Sequence, residues 1–442
     1  MFENVLGQPA ADQLALDISR RSLAPAMLFS GPQGSGKGTA ALELGRIISC
    51  ENNGAPWNCG CPACARHRVL LHPDLLCLGP RPFSAEIAAS SAAFLGDPSA
   101  LAARTLFIRS VRKLLLRFNP VLWEDDPKLS KLGSLVSALE EGLDELDAGI
   151  SGDAEALKKT AASILGDAFK LESGGISESI PIAQIRRAAW WCRLAPAGKG
   201  KLFLIENAEC MQEGARNSLL KLLEEPPGPV SLVLTTSRPG ALMRTILSRL
   251  RPYRFAARGP AAEREVIRRV FRVEQSGAGS HDERDIISAY LENFLPVPGE
   301  TLDALAAFFA ASAAYKAALL ARKKSPHAQS EAVVLLGKYA APLAEKAGLG
   351  RPAATCKEAA SVVLKGAADF EIRSMFPRFL RFLLAHVSQG ARQMASPELI
   401  PYNNIWKECA ARCESAVTVY NQSPGLALER LFTDASRGMA EL

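Results

Sequence analysis

Short apolar runs of about five residues alternate with longer stretches whose apolar positions recur every three or four residues. Ala26-Met27-Leu28-Phe29-Ser30, Lys201-Leu202-Phe203-Leu204-Ile205 and Val230-Ser231-Leu232-Val233-Leu234 have the length and branched content of buried strands. Thr39 to Cys50, with Leu42, Leu44 and Ile47-Ile48 on one side, predicts a helix, as does Glu213 to Glu225. Strand, helix, strand implies a parallel sheet with right-handed crossovers. Between the two alternating parts, Leu101 to Phe118 mixes apolar and basic residues as an amphipathic helix does, and Pro120 ends it. After Pro260 almost everything has helical periodicity, with no fixed-period repeat.

Length and composition narrow this little further. The 442 residues, 48% of them hydrophobic, suffice for about three packed domains and exclude a disordered chain. The N-terminus lacks the basic-then-apolar order of a signal peptide. The most apolar later run, Ala304 to Tyr315, falls short of the ~18 residues a membrane span needs, so a cytoplasmic protein without membrane contact is expected. The net charge of +6 is uneven: residues 83–172 hold ten Lys+Arg against fourteen Asp+Glu, net −4, which leaves +10 elsewhere. A DNA-facing surface is therefore expected outside that block; Arg322-Lys323-Lys324, Arg373, Arg378 and Arg381 are the candidates, with no base-reading motif among them.

Gly31-Pro32-Gln33-Gly34-Ser35-Gly36-Lys37-Gly38-Thr39 follows a predicted strand and opens a predicted helix. Glycines there let backbone N–H groups turn inward around phosphate oxygens, and Lys37 would reach the β- and γ-phosphates. A phosphate loop normally follows its Lys with Ser or Thr to hold Mg²⁺; here Gly38 stands in that place and Thr39 lies about 100° further round the helix. The strand ending in Glu206 is the candidate second half-site, but Asn207 follows where a hydrolytic enzyme keeps a general base, and an amide cannot act as one. Thr236 ends the next strand beside Thr235 and Ser237. Arg249 offers a guanidinium suited either to a structural carboxylate or to an arginine finger. Cys50, Cys59, Cys61 and Cys64 lie within fifteen residues, close enough to surround a structural zinc ion as thiolates, with His67 a substitute ligand.

Together these pieces resemble the bacterial DNA polymerase III clamp-loader AAA+ subunits, the delta-prime and gamma/tau family. The matching runs are Phe2-Glu3-Asn4-Val5-Leu6-Gly7-Gln8, Leu28 to Pro32, His72-Pro73-Asp74-Leu75, Ile182 to Arg186, Leu219 to Pro227, Thr245 to Arg249 and Ser423 to Leu431. The resemblance implies an α/β P-loop AAA+ domain with a parallel sheet, then an all-α lid and a C-terminal helical collar. The expected parts are 1–82, carrying a zinc module at 50–64; a helical acidic insertion, 83–175; a second core part, 176–255; a lid, 256–300; and a collar, 301–442. It also implies ATP with Mg²⁺ as nucleotide and structural Zn²⁺, the second Cys gap being one residue shorter than the family module's.

In function it implies a DNA replication subunit of the DNA polymerase III holoenzyme, in the replisome at the nucleoid. Its partners would be gamma/tau and delta in a hetero-pentameric ring, the sliding clamp, and primed DNA read without sequence preference. Arg249 matches the finger that completes the neighbouring subunit's site in trans. Gly38, Glu206 and Asn207 depart from a working ATPase, and the lid's sensor-2 string is missing, so a delta-prime-like member with weak or no hydrolysis is expected. An active gamma/tau-type ATPase is the alternative. A P-loop nucleotide kinase, the alternative of another class, leaves the Cys cluster, Leu219–Pro227 and the helical C-terminus without a role.

Overall fold

The computed structural model describes residues 1–52, 54–124, 126–147, 154–177, 179–272, 286–324, 334, 337, 340, 343–345, 347–366, 372–394, 399–418 and 422–441. They form two compact units, Met1–Phe294 and Leu295–Leu442.

The first unit is built on a five-stranded sheet: β1 (Ala26–Ser30), β2 (Leu75–Leu78), β3 (Lys201–Ile205), β4 (Val230–Thr236) and β5 (Arg251–Arg254). Every pairing is parallel and the order is β2-β3-β4-β1-β5. β1, β3 and β4 lie where the apolar runs predict them. β2 and β5 escape the pattern, because four residues are too few to show a period and β5 reads Arg-Pro-Tyr-Arg with only Tyr253 buried.

Helices cover both faces. Before the Cys-rich turn come α1 (Pro9–Ser19) and α2 (Lys37–Ser49), then the short α3 (Pro62–Arg68). The long middle block folds as α4 (Ser84–Gly96), α5 (Leu101–Leu115), α6 (Pro127–Asp147) and α7 (Ala154–Gly175). The block is no mere surface appendage. Phe107, Val111, Leu114, Phe118, Leu139 and Ile164 share one buried cluster with Phe203, Ile205 and Leu232 of the sheet. The remaining helices are α8 (Ile182–Arg193), α9 (Glu213–Glu224), α10 (Arg244–Leu247), α11 (Pro260–Phe271) and α12 (Ile286–Glu292).

Two of the quoted runs acquire a structural reason here. The Gln8 side-chain amide donates to Ala256 O at 3.0 Å and accepts from Ala256 N at 3.0 Å, so it acts as one more backbone rung and ties the N-terminus to the end of β5. In His72-Pro73-Asp74, the buried Asp74 carboxylate accepts the backbone N–H groups of Ala197 at 2.9 Å and Gly198 at 2.7 Å, fixing the loop that enters β3.

The regular elements of the second unit's described residues are all helices, among them α13 (Gly299–Lys324), α14 (Cys356–Gly366), α15 (Ile372–Met394), α16 (Leu399–Thr418) and α17 (Pro424–Met439). Phe309 sits at its centre, edge-on to Phe379 and Phe432, each at 5.7 Å. Ala306, Ala310, Ala313, Ala314 and Ala317 are buried along α13, where small side chains let neighbouring helices approach. Among the described residues α13 is the one helix long and apolar enough to cross a membrane, with mean hydropathy 1.6 over its most apolar 18 residues. This corrects the shorter apolar run expected from sequence. Its apolar side chains form the core of this unit. Arg378, one of the candidate DNA contacts, is also buried, donating toward Val297 O at 3.4 Å.

Candidate functional site

The loop between β1 and α2 stands at the carboxyl end of the sheet, where open α/β folds bind ligands. Gly34 and Gly36 have φ of 74° and 93°, a region an L side chain enters only with strain. Gly36 ends the turn, and α2 starts at Lys37, so its first N–H groups face the loop. The Lys37 ammonium donates to Gly31 O at 2.7 Å and Pro32 O at 2.6 Å, with Ser35 Oγ at 3.4 Å. Burial pulls its pKa down to about 8, against the opposing attraction of Glu209 and Glu206.

β4 lies between β1 and β3 and brings the two halves of the site together. Gly31 N donates to Thr236 O at 3.2 Å. The buried Thr236 spends its Oγ1 on the N–H of Arg238 at 3.0 Å. One strand over, Asn207 is left-handed at φ 50° and ψ 57°. Its N–H donates to Thr235 Oγ1 at 3.3 Å and its side-chain amide to Pro80 O at 2.7 Å, so it braces backbone. Thr39 is the third residue of α2, one beyond Gly38.

Glu206 meets this loop directly. A Cβ placed on Gly38 would lie 2.6 Å from Glu206 Oε1. The other carboxylate oxygen is ion-paired with Arg117 and lies 3.7 Å from Arg81 Nε. Arg81 and Lys113 in turn both pair with Glu86. Burial alone would raise the Glu206 carboxyl, but Arg81, Arg117 and Lys113 hold it below the usual carboxylate range. Neither Arg81 nor Arg117 is legible as a site residue in the sequence, since both are distant along the chain from the loop. Nor is Arg258, which bonds Gly34 O and donates to Leu6 O at 3.1 Å.

Arg249 lies at the end of α10, partly exposed. Its guanidinium donates to Thr245 O at 2.7 Å and to Glu224 Oε1 of α9 at 2.6 Å.

The four cysteines do come together. Cys50, Cys59, Cys61 and Cys64 are buried with all four Sγ atoms within 4.8 Å of one another. The Cys50 Sγ is 3.7 Å from that of Cys59 and 4.0 Å from that of Cys61, against about 3.8 Å for thiolates tetrahedrally bound to zinc at 2.3 Å. The tight Cys59-Gly60-Cys61 spacing is accommodated because Cys61 caps α3, its sulfur accepting the N–H of Cys64 at 3.4 Å. Arg46, inside the fold with Glu43 at 2.6 Å, donates to Cys64 Sγ at 3.1 Å, and Asn52 donates to Cys59 Sγ at 3.2 Å. Hydrogen bonds from the Cys61 backbone and Asn52 draw Cys59 down to about 6, while burial pushes Cys50 and Cys64 up. A cation among the sulfurs would reverse that burial effect. The donor set suits a closed structural zinc site. His67 is not part of it: its Nε2 meets Ser49 Oγ at 3.0 Å and its ring stacks on His72 at 4.1 Å.

A five-stranded parallel sheet with the loop strand inside it, an acidic strand end two places away and flanking helices define an AAA+ P-loop domain followed by helical parts. Residues 7–114 and 144–258, half of the chain, match the family described as DNA polymerase III, delta subunit. The chain belongs to that family, and within it to the delta-prime type. It is 35% identical over 132 residues to DNA polymerase III subunit delta' of Pseudomonas aeruginosa, a match covering 30% of this chain and 40% of the relative. It is 44% identical over 62 residues to the delta' subunit of Bacillus subtilis, covering 14% and 19%. A third relative, the tau subunit of Salmonella typhimurium, is 46% identical over 56 residues, covering 12% and 9%. The matches thus span less than half the length of these relatives. A solved gamma subunit-related protein of Thermotoga maritima matches at 17% identity over 60% of this chain and 81% of its own, with a TM-score of 0.28, too loose an overlap to add to the fold assignment.

Proposed function

We propose that the protein is a delta-prime-like subunit of the DNA polymerase III clamp loader, which helps set the sliding clamp on primed DNA during replication and hydrolyses ATP weakly or not at all. Its partners on this reading are gamma/tau and delta in a five-subunit ring, the clamp, and DNA held through its phosphates, in the cytoplasm at the nucleoid. Residues 31–39, Glu206 and Thr236 form its own nucleotide pocket, Arg249 serves the neighbour's pocket in trans, and Cys50, Cys59, Cys61 and Cys64 hold structural zinc.

One observation carries this reading. Directly after Glu206, where hydrolysis needs a base, the chain has Asn207, an amide committed to Pro80 O, while Arg249 stands at the surface at the end of α10. The same observation weighs against the active gamma/tau-type alternative. The test is a reconstituted ring in which DNA- and clamp-stimulated ATP turnover is compared for wild type, Arg249→Ala and Lys37→Ala. Arg249→Ala is expected to depress turnover strongly and Lys37→Ala to leave most of it. The reverse result makes this subunit a motor in its own right.

A further inference from the structure

A Mg²⁺–ATP pocket of the P-loop type commonly offers two groups at the metal: a hydroxyl directly after the P-loop Lys, and a carboxylate at the end of the acidic strand free to orient the ion and its waters. This chain lacks the first and has half of the second engaged elsewhere. Gly38 lacks the hydroxyl, and the Glu206 carboxylate lies so close that a Cβ at residue 38 would stand 2.6 Å from Oε1. Any side chain there would have to displace Glu206. Its Oε2 is turned instead toward two guanidinium groups, the ion-paired Arg117 and Arg81 at 3.7 Å.

Arg117 is fixed there. It is 5% exposed, its Nε donates to Gly79 O at 3.0 Å, its guanidinium lies over the Phe83 ring at 5.3 Å, and its own carbonyl accepts Trp123 Nε1 at 2.6 Å. The Glu206 backbone is fixed as well: its N–H donates to Leu78 O at 2.9 Å, and Gly79, at φ 110°, packs so closely that a Cβ there would meet the Glu206 carbonyl. Arg117 also lies between residues 114 and 144, in the one segment inside the domain that the family match leaves out.

We infer that Mg²⁺ has no place in this pocket, because Arg117, carried in by that extra segment, supplies the positive charge at Glu206 that the metal supplies elsewhere. Arg117 is thus a positioning residue: it acts through Glu206, and Gly38 is the residue that lets the carboxylate stay. This rests on the proposed nucleotide pocket. A nucleotide taken by residues 31–39 binds without the divalent ion, and Arg81, more exposed at 24%, is the weaker second counter-charge.

The test follows the melting temperature of the full chain with ATP alone and with ATP plus Mg²⁺, both in chelator-free buffer depleted of divalent ions so that the cysteine site keeps its metal and each against its own ATP-free blank, for wild type, Arg117→Gln and Arg81→Gln, with far-UV circular dichroism to verify folding. A ligand that binds only the folded state raises the melting temperature with the logarithm of its affinity, so the Mg²⁺ effect on ATP affinity can be read from it. Wild type is expected to show no Mg²⁺ effect, and Arg117→Gln to gain roughly tenfold in ATP affinity when Mg²⁺ is added, since an unpaired buried carboxylate recruits a cation. Arg81→Gln is expected to gain less, and it keeps the test available if Arg117→Gln does not fold. A wild-type protein that needs Mg²⁺ overturns the inference while leaving the nucleotide pocket standing. Variants as insensitive to Mg²⁺ as wild type overturn the role given to Arg117. ATP without effect on any of the three, in either condition, removes the nucleotide pocket and the inference with it.

Discussion

The guanidinium of Arg249 is held by Glu224, Nη2 to Oε1 at 2.6 Å, so the penultimate residue before Pro226-Pro227 orients the arginine at the end of α10. Both side chains are substantially exposed, 34% and 50%, and a pair of that kind contributes little to folding. Its consequence is geometric. Glu224→Ala should change unfolding free energy by no more than about 0.5 kcal/mol. In a reconstituted ring the same substitution should lower ATP turnover by a few fold, less than Arg249→Ala does, because the guanidinium survives but loses its fixed direction. Turnover equal to or above wild type would show that Glu224 restrains Arg249 rather than aiming it.

Asp74 should be far more costly to remove. Its buried carboxylate takes up the N–H groups of Ala197 and Gly198 in an exposed loop, and Asp74→Ala removes both of these bonds. A loss of about 2–4 kcal/mol in urea unfolding is expected. A loss below ~0.5 kcal/mol would mean that water replaces the carboxylate.

Zinc is tested by metal content. Purified protein should contain one equivalent, lost in Cys64→Ser, and chelation should speed amide exchange in α3 well before it affects β1. The reason is local. α3 spans seven residues, too few to hold a helix unaided, and its cap Cys61 is one of the ligands. Absence of zinc with all four thiols reactive would refute the assignment.

Lys37 links the nucleotide pocket to pH. Burial lowers its ammonium to about 8 from an ordinary 10.5. Its positive charge is therefore complete only below pH 8, and ATP affinity should decline as pH rises through about 8, a decline absent in Lys37→Met. In folding the sign is opposite: between the folded value near 8 and the unfolded value near 10.5 the unfolded chain holds the extra proton, so this group adds stability as pH rises. A flat affinity from pH 7 to pH 9.5 would exclude charge on Lys37 as a contributor.

What the sequence by itself determined is local. Three of five strands, the loop of residues 31–39, α2, α9 and the crowding of four cysteines follow from short-range periodicity, glycine conformational freedom and spacing along the chain. Gly38 and Asn207 were legible as departures because each stands at a fixed offset from a recognisable neighbour. The tertiary structure decided the rest. β2 and β5 exist because parallel neighbours complete their hydrogen bonds, not because their residues show a period. Arg378 has the composition of a surface cation and is buried. Above all, Arg81 and Arg117 reach Glu206 from 125 and 89 positions away. Charge acts through distance in space, and no spacing along the chain encodes which of 52 basic residues will meet a given carboxylate.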